Sequence, residues 1–268
     1  NDIQLNIWTT PDVLDQLDFA GDVAAKSLEF LKNTFNIKYP LVKLDICGIP
    51  NFEKSGMENF GIIFLKENNL LIDFESSQFS KEEVAETIIH EIAHQWFGNL
   101  VGVKSWDELW LKEAFATWFS WYAIDELFPN WKIWESYMVY TLQSSLMVDA
   151  RETTHPVYVL KTSIQDVNQD FDIITYQKGC ALVTMLSKWL GQDSFLKGIS
   201  KYLKKWSWKL PSTKDLWDCL REVTGVDVEN FMEKWLTLPG YPVVIVEEID
   251  GKIHLHQKRF LLSGQVFL

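Results

Sequence analysis

Apolar residues recur at helical spacing through most of the chain. The first such stretch covers residues 22–35, with apolar side chains at Val23, Ala24, Leu28, Leu31 and Phe35. Steps of three and four residues place these side chains on one face of a helix. The same spacing predicts further helices over residues 131–147, 173–190, 193–206, 213–223 and 228–236.

Strand-like patterns lie near both ends of the chain. Short runs typical of β-strands occur at residues 42–46, 61–65 and 70–74. After the break at Pro239-Gly240, two further runs alternate like strands, over residues 241–247 and 252–256. The chain is therefore expected to adopt an α+β fold.

Two consecutive helices are predicted in the middle of the chain. Ser80 followed by Glu83 has the spacing of a capping box, which begins a helix. That helix is expected to run to about Phe97, before Gly98-Asn99. A second helix is expected over residues 107–127, before Pro129.

The first of these helices carries the run His90-Glu91-Ile92-Ala93-His94. Residues four apart are separated by about 40° around a helix, so His90 and His94 project from one face. Glu91 lies on the flank of that face, within reach of a metal-bound water. Two neutral imidazoles with a carboxylate base beside them suit a zinc hydrolase. Because the chain has only five histidines, a chance match is improbable.

A catalytic zinc ion needs a third protein ligand. The metzincin pattern requires Gly and His where this chain has Phe97 and Leu100. Glu113 on the second helix is the alternative, and eighteen residues separate it from His94. This spacing allows one helix to end and the next to return past the metal, so we expect one Zn²⁺ per chain.

Four motifs together resemble the M1 family of zinc aminopeptidases. They are SGMEN at 55–59, HEIAHQWFGN at 90–99, WLKEAFA at 110–116 and FDIITYQKG at 171–179. Their order and spacing are those of the family, and the resemblance runs over essentially the whole chain. PGYPVV at 239–244 and QKRFL at 257–261 resemble the family's entry into a β-sandwich domain.

The resemblance implies a role for each matching residue. It implies zinc ligation by His90, His94 and Glu113, and a general base at Glu91. Tyr176 matches the phenol that donates a hydrogen bond to the oxyanion of the tetrahedral intermediate.

The SGMEN motif matches the substrate-binding segment of the family. Glu58 corresponds to the carboxylate that holds the free α-ammonium of the peptide. Gly56 and Met57 correspond to the backbone edge that pairs with the peptide, and Asn59 completes the motif. The partners implied are peptides with a free N-terminus.

The implied fold is a thermolysin-like catalytic domain over residues 1–238, with a small α/β lobe and a mainly helical lobe. Residues 239–268 would begin a truncated β-sandwich domain. The family's preceding β domain and later helical domain are expected to be missing. The chain alone is therefore expected to bind zinc but to show weak or no peptidase activity.

The chain departs from the family pattern at three places. Ser55-Gly56 stands where the family usually has Gly-Ala, and Lys112-Glu113-Ala114 where it usually has Asn-Glu-Gly. Phe60 replaces a common Trp. None of these changes removes a ligand or the base, but the first and the last could alter the pocket for the substrate's first side chain.

Bulk properties exclude some functions. A net charge of −12 disfavours nucleic-acid binding, which needs a basic surface. No apolar run approaches the roughly 20 residues that span a bilayer. Three cysteines outside any CxxC pair, and the absence of Asn-x-Ser/Thr sequons, favour a cytoplasmic location.

Two alternative functions remain open. One is a bifunctional epoxide hydrolase and aminopeptidase of the leukotriene A4 hydrolase type, which shares these motifs. The β-strand continuation near the C-terminus favours the aminopeptidases over it. The other is a non-catalytic homologue that only binds peptides. Such a protein would be expected to have lost a zinc ligand, Glu91 or Tyr176, and all of these are present.

Overall fold

A computed structural model describes residues 3–160 and 171–264 of the chain. An N-terminal sheet with one helix is followed by a long helical region and a C-terminal hairpin. This mixture of helices and strands confirms the predicted α+β class.

The N-terminal sheet has four strands, β1 (Gln4–Trp8), β2 (Lys43–Ile49), β3 (Gly56–Met57) and β4 (Ile62–Lys66). Their order is β1-β2-β4-β3, with β1, β2 and β4 parallel and β3 antiparallel to β4. Helix α1 (Asp18–Phe35) connects β1 to β2 and buries the apolar face predicted for it. The short strand β3 therefore forms one edge of the sheet.

The strand predicted at residues 70–74 is wrong. A 3₁₀ turn at Glu67–Asn69 precedes this run, and the chain continues as a loop. Leu70 is fully buried whereas Phe74 is 95% exposed, so the apolar residues do not share one face. Strand β1, by contrast, was not predicted, because its five residues are too few to show a clear alternation of apolar and polar side chains.

Helix α2 (Gln78–Ala93) begins three residues earlier than predicted. The Ser77 side chain accepts a hydrogen bond from the Ser80 backbone N–H at 3.1 Å, so Ser77 is the N-cap and the Ser80–Glu83 capping box is wrong. The regular helix ends at Ala93. The chain then makes irregular turns as far as Gly98, whose φ of 111° favours glycine.

Helix α3 (Trp110–Leu127) packs beside α2 and is buried on nearly all its faces. A continuous helical run follows, with α4 (Ile133–Ser136), a π-helical turn and α5 (Gln143–Asp149). A second π-helical segment, Ile174–Lys178, leads into α6 (Gly179–Leu190). The helices predicted over residues 131–147 and 173–190 are thus confirmed, with π turns that an apolar pattern does not reveal.

The remaining elements lie close to their predicted positions. They are α7 (Gln192–Trp206), α8 (Thr213–Thr224), α9 (Val228–Thr237) and the antiparallel strands β5 (Pro242–Ile249) and β6 (Lys252–Arg259). Among the described helices, none is both long and apolar enough to cross a membrane.

Candidate active site

The three metal-binding side chains predicted from the sequence come together where α2 meets α3. His90 and His94 lie at the C-terminal end of α2, and Glu113 lies in the first turn of α3. The two Nε2 atoms are 3.0 Å apart. Glu113 Oε2 lies 3.1 Å from His94 Nε2 and 3.6 Å from His90 Nε2. All three side chains are buried.

This geometry fits a zinc ion. With bonds of roughly 2.0–2.1 Å, a tetrahedral zinc separates its ligand atoms by about 3.3 Å. The observed separations of 3.0 to 3.6 Å bracket that value. Two imidazoles and one carboxylate also form the donor set of a catalytic zinc that keeps one position open. These three residues could therefore hold one Zn²⁺ with little rearrangement.

Two further contacts fix the orientation of the histidine rings. His94 Nδ1 lies 2.8 Å from the Phe97 carbonyl oxygen, and His90 Nδ1 lies 3.3 Å from Thr117 Oγ1. The Thr117 hydroxyl donates its own proton to the Glu113 carbonyl at 2.8 Å, so its oxygen can accept from His90. Both Nε2 atoms are thereby left to face a metal.

Glu91 projects from α2 towards the sheet edge and is almost completely buried. Its Oε2 has no hydrogen-bond partner among the described residues. Burial raises the pKa of Glu91 to about 8. A cation at the neighbouring triad would act against this shift, because it favours the charged carboxylate. A buried carboxylate oxygen that needs a partner is suited to bind a water molecule.

The backbone of Glu58 is held against the end of α2 by two amide side chains. Its carbonyl oxygen accepts from Asn99 Nδ2 at 2.7 Å and from Gln95 Nε2 at 3.3 Å. Gln95 Oε1 also accepts from the Gly61 backbone N–H at 3.2 Å. The loop that carries Glu58 therefore has a fixed position relative to the histidines, which sequence reasoning did not show.

Lys112 forms ion pairs with two carboxylates of the site. Its Nζ lies 2.5 Å from Glu58 Oε1 and 2.6 Å from Glu113 Oε1. Burial alone would lower the pKa of Lys112, but Glu113 and Glu58 raise it above its usual value. The carboxylates remain charged as well: although burial opposes ionisation, His94 and Lys112 hold the pKa of Glu58 below its usual value.

Tyr176 stacks beside His90, with ring centroids 5.8 Å apart and an interplanar angle of 22°. Burial, followed by the nearby Glu113 carboxylate, raises the pKa of Tyr176 above its usual range. The phenol thus keeps its proton and can donate a hydrogen bond.

Asp172 caps the start of the segment that carries Tyr176. Its carboxylate accepts hydrogen bonds from the backbone N–H groups of Ile174 and Thr175. It also pairs with His155 at 2.8 Å.

These side chains line a single cavity of about 1180 Å³. The predicted residues on its wall are Gly56, Met57, Glu58, His90, Glu91, His94, Glu113 and Tyr176. Asn59 is half-buried and lies outside this lining in the described structure. Its carbonyl oxygen accepts from the Ile62 backbone N–H at 3.0 Å, which closes a turn.

Comparison with known proteins identifies one peptidase family. The model of the peptidase family M1 domain matches residues 19–235. "Aminopeptidase 2" of Candida albicans is 44% identical over 98% of this chain, and "Alanine/arginine aminopeptidase" of Saccharomyces cerevisiae is 43% identical over 98%. "Leucyl aminopeptidase" of Saccharolobus solfataricus is 40% identical over 97%.

The chain spans only part of these relatives. It covers 29%, 31% and 33% of their respective lengths, or about three-tenths. The family match nevertheless includes both helices that carry the histidines and Glu113, as well as the segment that carries Tyr176. This chain belongs to peptidase family M1.

Proposed function

We propose that this chain carries the active site of a zinc-dependent aminopeptidase, which hydrolyses the N-terminal bond of peptides. One observation supports this most strongly. The same cavity contains three side chains that could hold a metal ion and, beside them, the Glu58 carboxylate, which already binds one ammonium group, that of Lys112, at 2.5 Å. An aminopeptidase needs these two features side by side, because the free amine and the scissile carbonyl belong to the same residue of the substrate.

The chemistry divides among a few side chains. Zinc, when bound by His90, His94 and Glu113, would polarise the scissile carbonyl and acidify water. Glu91 takes a proton from the attacking water and later delivers one to the leaving amine. Tyr176 donates a hydrogen bond to the oxyanion that develops on the carbonyl oxygen.

Substrate binding uses the edge strand and the loop behind it. Because β3 pairs only with β4 among the strands that the structure describes, the backbone of Gly56 and Met57 can add the peptide as a further strand. Glu58, the next residue, then receives the α-ammonium. This order along the chain would place the first peptide bond of the substrate over the triad.

We also propose the finer architecture that the family resemblance implies. Residues 1–238 form a thermolysin-like domain in which the sheet lobe and the helical lobe flank the triad. Residues 239–268 begin a β-sandwich domain. The apolar side chains of Val244, Val246 and Ile253 in the β5–β6 hairpin are exposed, as expected for a sheet face that packs against another layer in a β-sandwich.

The test is hydrolysis of leucine anilide with a free amine, compared with its N-acetylated twin. The protein expressed from its complete gene should cleave only the free form, lose activity on chelation and regain it with zinc. Glu91→Gln should keep the metal and lose turnover by about 10²–10⁴-fold, the usual contribution of a general base. Equal cleavage of both anilides, or none with zinc bound, contradicts the proposal and favours an endopeptidase, an epoxide hydrolase or a non-catalytic peptide-binding protein.

A further inference from the structure

The Lys112 ammonium forms an ion pair with Glu58, the carboxylate to which the substrate's amine is proposed to bind. It bridges Glu58 and Glu113 at 2.5 and 2.6 Å, and its side chain is only 12% exposed. It is therefore a buried component of the cavity wall and not a solvated surface lysine.

The position of the ammonium is set by packing along the whole side chain. Lys112 leaves the first turn of α3 and passes over Gly98, where an added Cβ would lie 3.1 Å from Lys112 Cδ. At its far end, Nζ lies 5.7 Å from the centre of the Phe171 ring. Since stem and head are both in contact with protein, removing the ammonium from Glu58 would require a change in the packing.

A primary ammonium on Lys112 has the same chemistry as a peptide's N-terminus. Both carry one positive charge and donate up to three hydrogen bonds to carboxylate oxygens. Two such groups at Glu58 repel each other and divide one negative charge between them. The second carboxylate, Glu113, is itself a proposed metal ligand and cannot serve the substrate instead.

We propose that Lys112 is an internal competitor of the substrate amine, and that it lowers the selectivity of this site for peptides with a free N-terminus. This inference rests on the proposed function of Glu58. It makes Lys112 a specificity-determining residue: the substrate's ammonium must share Glu58 with Lys112 or displace it.

The test compares leucine anilide with its deaminated analogue, 4-methylpentanoic anilide. The ratio of their kcat/KM values measures the selectivity for the amine. Removing a competing charge-assisted hydrogen bond should raise this ratio about tenfold in Lys112→Gln, mainly through a lower KM for the free amine. Lys112→Asn provides a second neutral variant. Lys112→Arg keeps the positive charge and should keep the ratio near that of the unmodified protein.

Two controls separate competition from general damage. Lys54→Asn removes another lysine of the same cavity, whose Nζ lies 4.9 Å from the Phe171 ring, and should leave the ratio unchanged. Binding of leucinamide and 4-methylpentanamide, measured by calorimetry in proteins that also carry Glu91→Gln so that leucinamide is not hydrolysed, gives a readout independent of turnover. Lys112→Gln should gain affinity for leucinamide alone. Thermal unfolding and metal content identify any variant that does not fold.

The outcomes distinguish this inference from the proposed function. If the unmodified protein favours the free amine but the neutral variants show an unchanged or smaller ratio, Lys112 does not compete and only this inference is overturned. If the unmodified protein cleaves both anilides equally or neither, the proposed function of Glu58 fails and this inference fails with it.

Discussion

The methyl group of Ala114 lies where a side chain at Gly179 would have to be. A Cβ added at Gly179 would be 2.6 Å from Ala114 Cβ, well inside normal contact. Helices α3 and α6 therefore meet almost backbone to backbone at this point. Glu113 immediately precedes Ala114, and Tyr176 lies three residues before Gly179, so this contact sets the distance between a proposed zinc ligand and the proposed oxyanion donor.

We expect Gly179→Ala to force α3 and α6 apart. Overpacking of this kind should lower the free energy of unfolding by about 1–3 kcal/mol. Turnover should fall more than zinc affinity does, because Tyr176 moves with α6 while the three ligands lie on α2 and α3. Chemical denaturation and steady-state kinetics measure the two effects.

A double variant provides the control. Ala114→Gly removes the methyl group that the new side chain would meet, although glycine in a helix itself costs roughly 1 kcal/mol. The pair Ala114→Gly with Gly179→Ala should therefore be more stable than the sum of the two single changes predicts. Simple additivity would show that this contact does not limit the approach of the helices.

Thr117 should contribute to zinc affinity without touching the metal. Thr117→Val keeps the shape of the side chain but removes the oxygen that lies 3.3 Å from His90 Nδ1. Loss of such a partner typically weakens metal binding by about 10–100-fold. Competition with a chelator of known affinity measures the change. Thr117→Ser retains the hydroxyl and should bind zinc nearly as the unmodified protein does; equal affinity for Val and Ser would contradict the prediction.

Asp45 should make the N-terminal sheet sensitive to acid. Its carboxylate is paired with Lys43 and accepts from Asn6 Nδ2 and Trp8 Nε1, and these partners lower the pKa of Asp45 from 3.8 to about 2. A depressed pKa means that the stabilisation is complete above about pH 4 and is lost as the pH falls towards 2.

The free energy of unfolding should therefore decrease on acidification through this window, by on the order of 1 kcal/mol from Asp45 alone. Asp45→Asn should be less stable at pH 6 and should show a smaller loss between pH 4 and 2. Parallel pH profiles for the two proteins would exclude Asp45 as the source.

The buried Lys178–Asp149 pair should be important for stability. The two charges are 2.8 Å apart and almost inaccessible, and Asp149 also accepts from the Gly240 backbone N–H at 2.9 Å. Lys178→Met leaves a buried carboxylate without its cation, which typically costs about 3–5 kcal/mol. Lys188→Met, at an exposed position of α6, should change stability by less than about 0.5 kcal/mol. Similar unfolding midpoints for both variants would contradict this.

The clustering of His90, His94 and Glu113 could be predicted because much of it depends on local geometry. His90 lies in α2 and His94 is the C-cap directly after it, still in helical conformation, so a spacing of four residues fixes their relative direction. Predicting Glu113 required two further observations: its spacing from the histidines, which places it on a second helix, and the resemblance of its WLKEAFA motif to that of the M1 family. Thr117 was missed, although a signal existed: it lies four residues after Glu113 and so on the same face of α3.

Other features could not be predicted because they depend on distant packing. The sequence separates Glu58 from Lys112 by 54 positions, and nothing local indicates that their charges meet. The apolar run 70–74 was mistaken for a strand, since alternation does not reveal whether a neighbouring strand is present. The start of α2 was misplaced because Ser77 and Ser80 are equally good caps by residue type.

The π-helical segment Ile174–Lys178 makes the proposed active site sensitive to the deletion of single residues. Such a turn holds about one residue more than an α-helical turn, and here it carries Tyr176. Deleting Gln177 or Lys178, the two residues between Tyr176 and α6, would let the turn rewind into α-helix and rotate the phenol by about 100° relative to α6. The orientation of the Tyr176 side chain thus depends on the number of residues in the π-helical segment as well as on their types. Loss of one codon in this stretch would harm catalysis more than most exchanges of one amino acid for another.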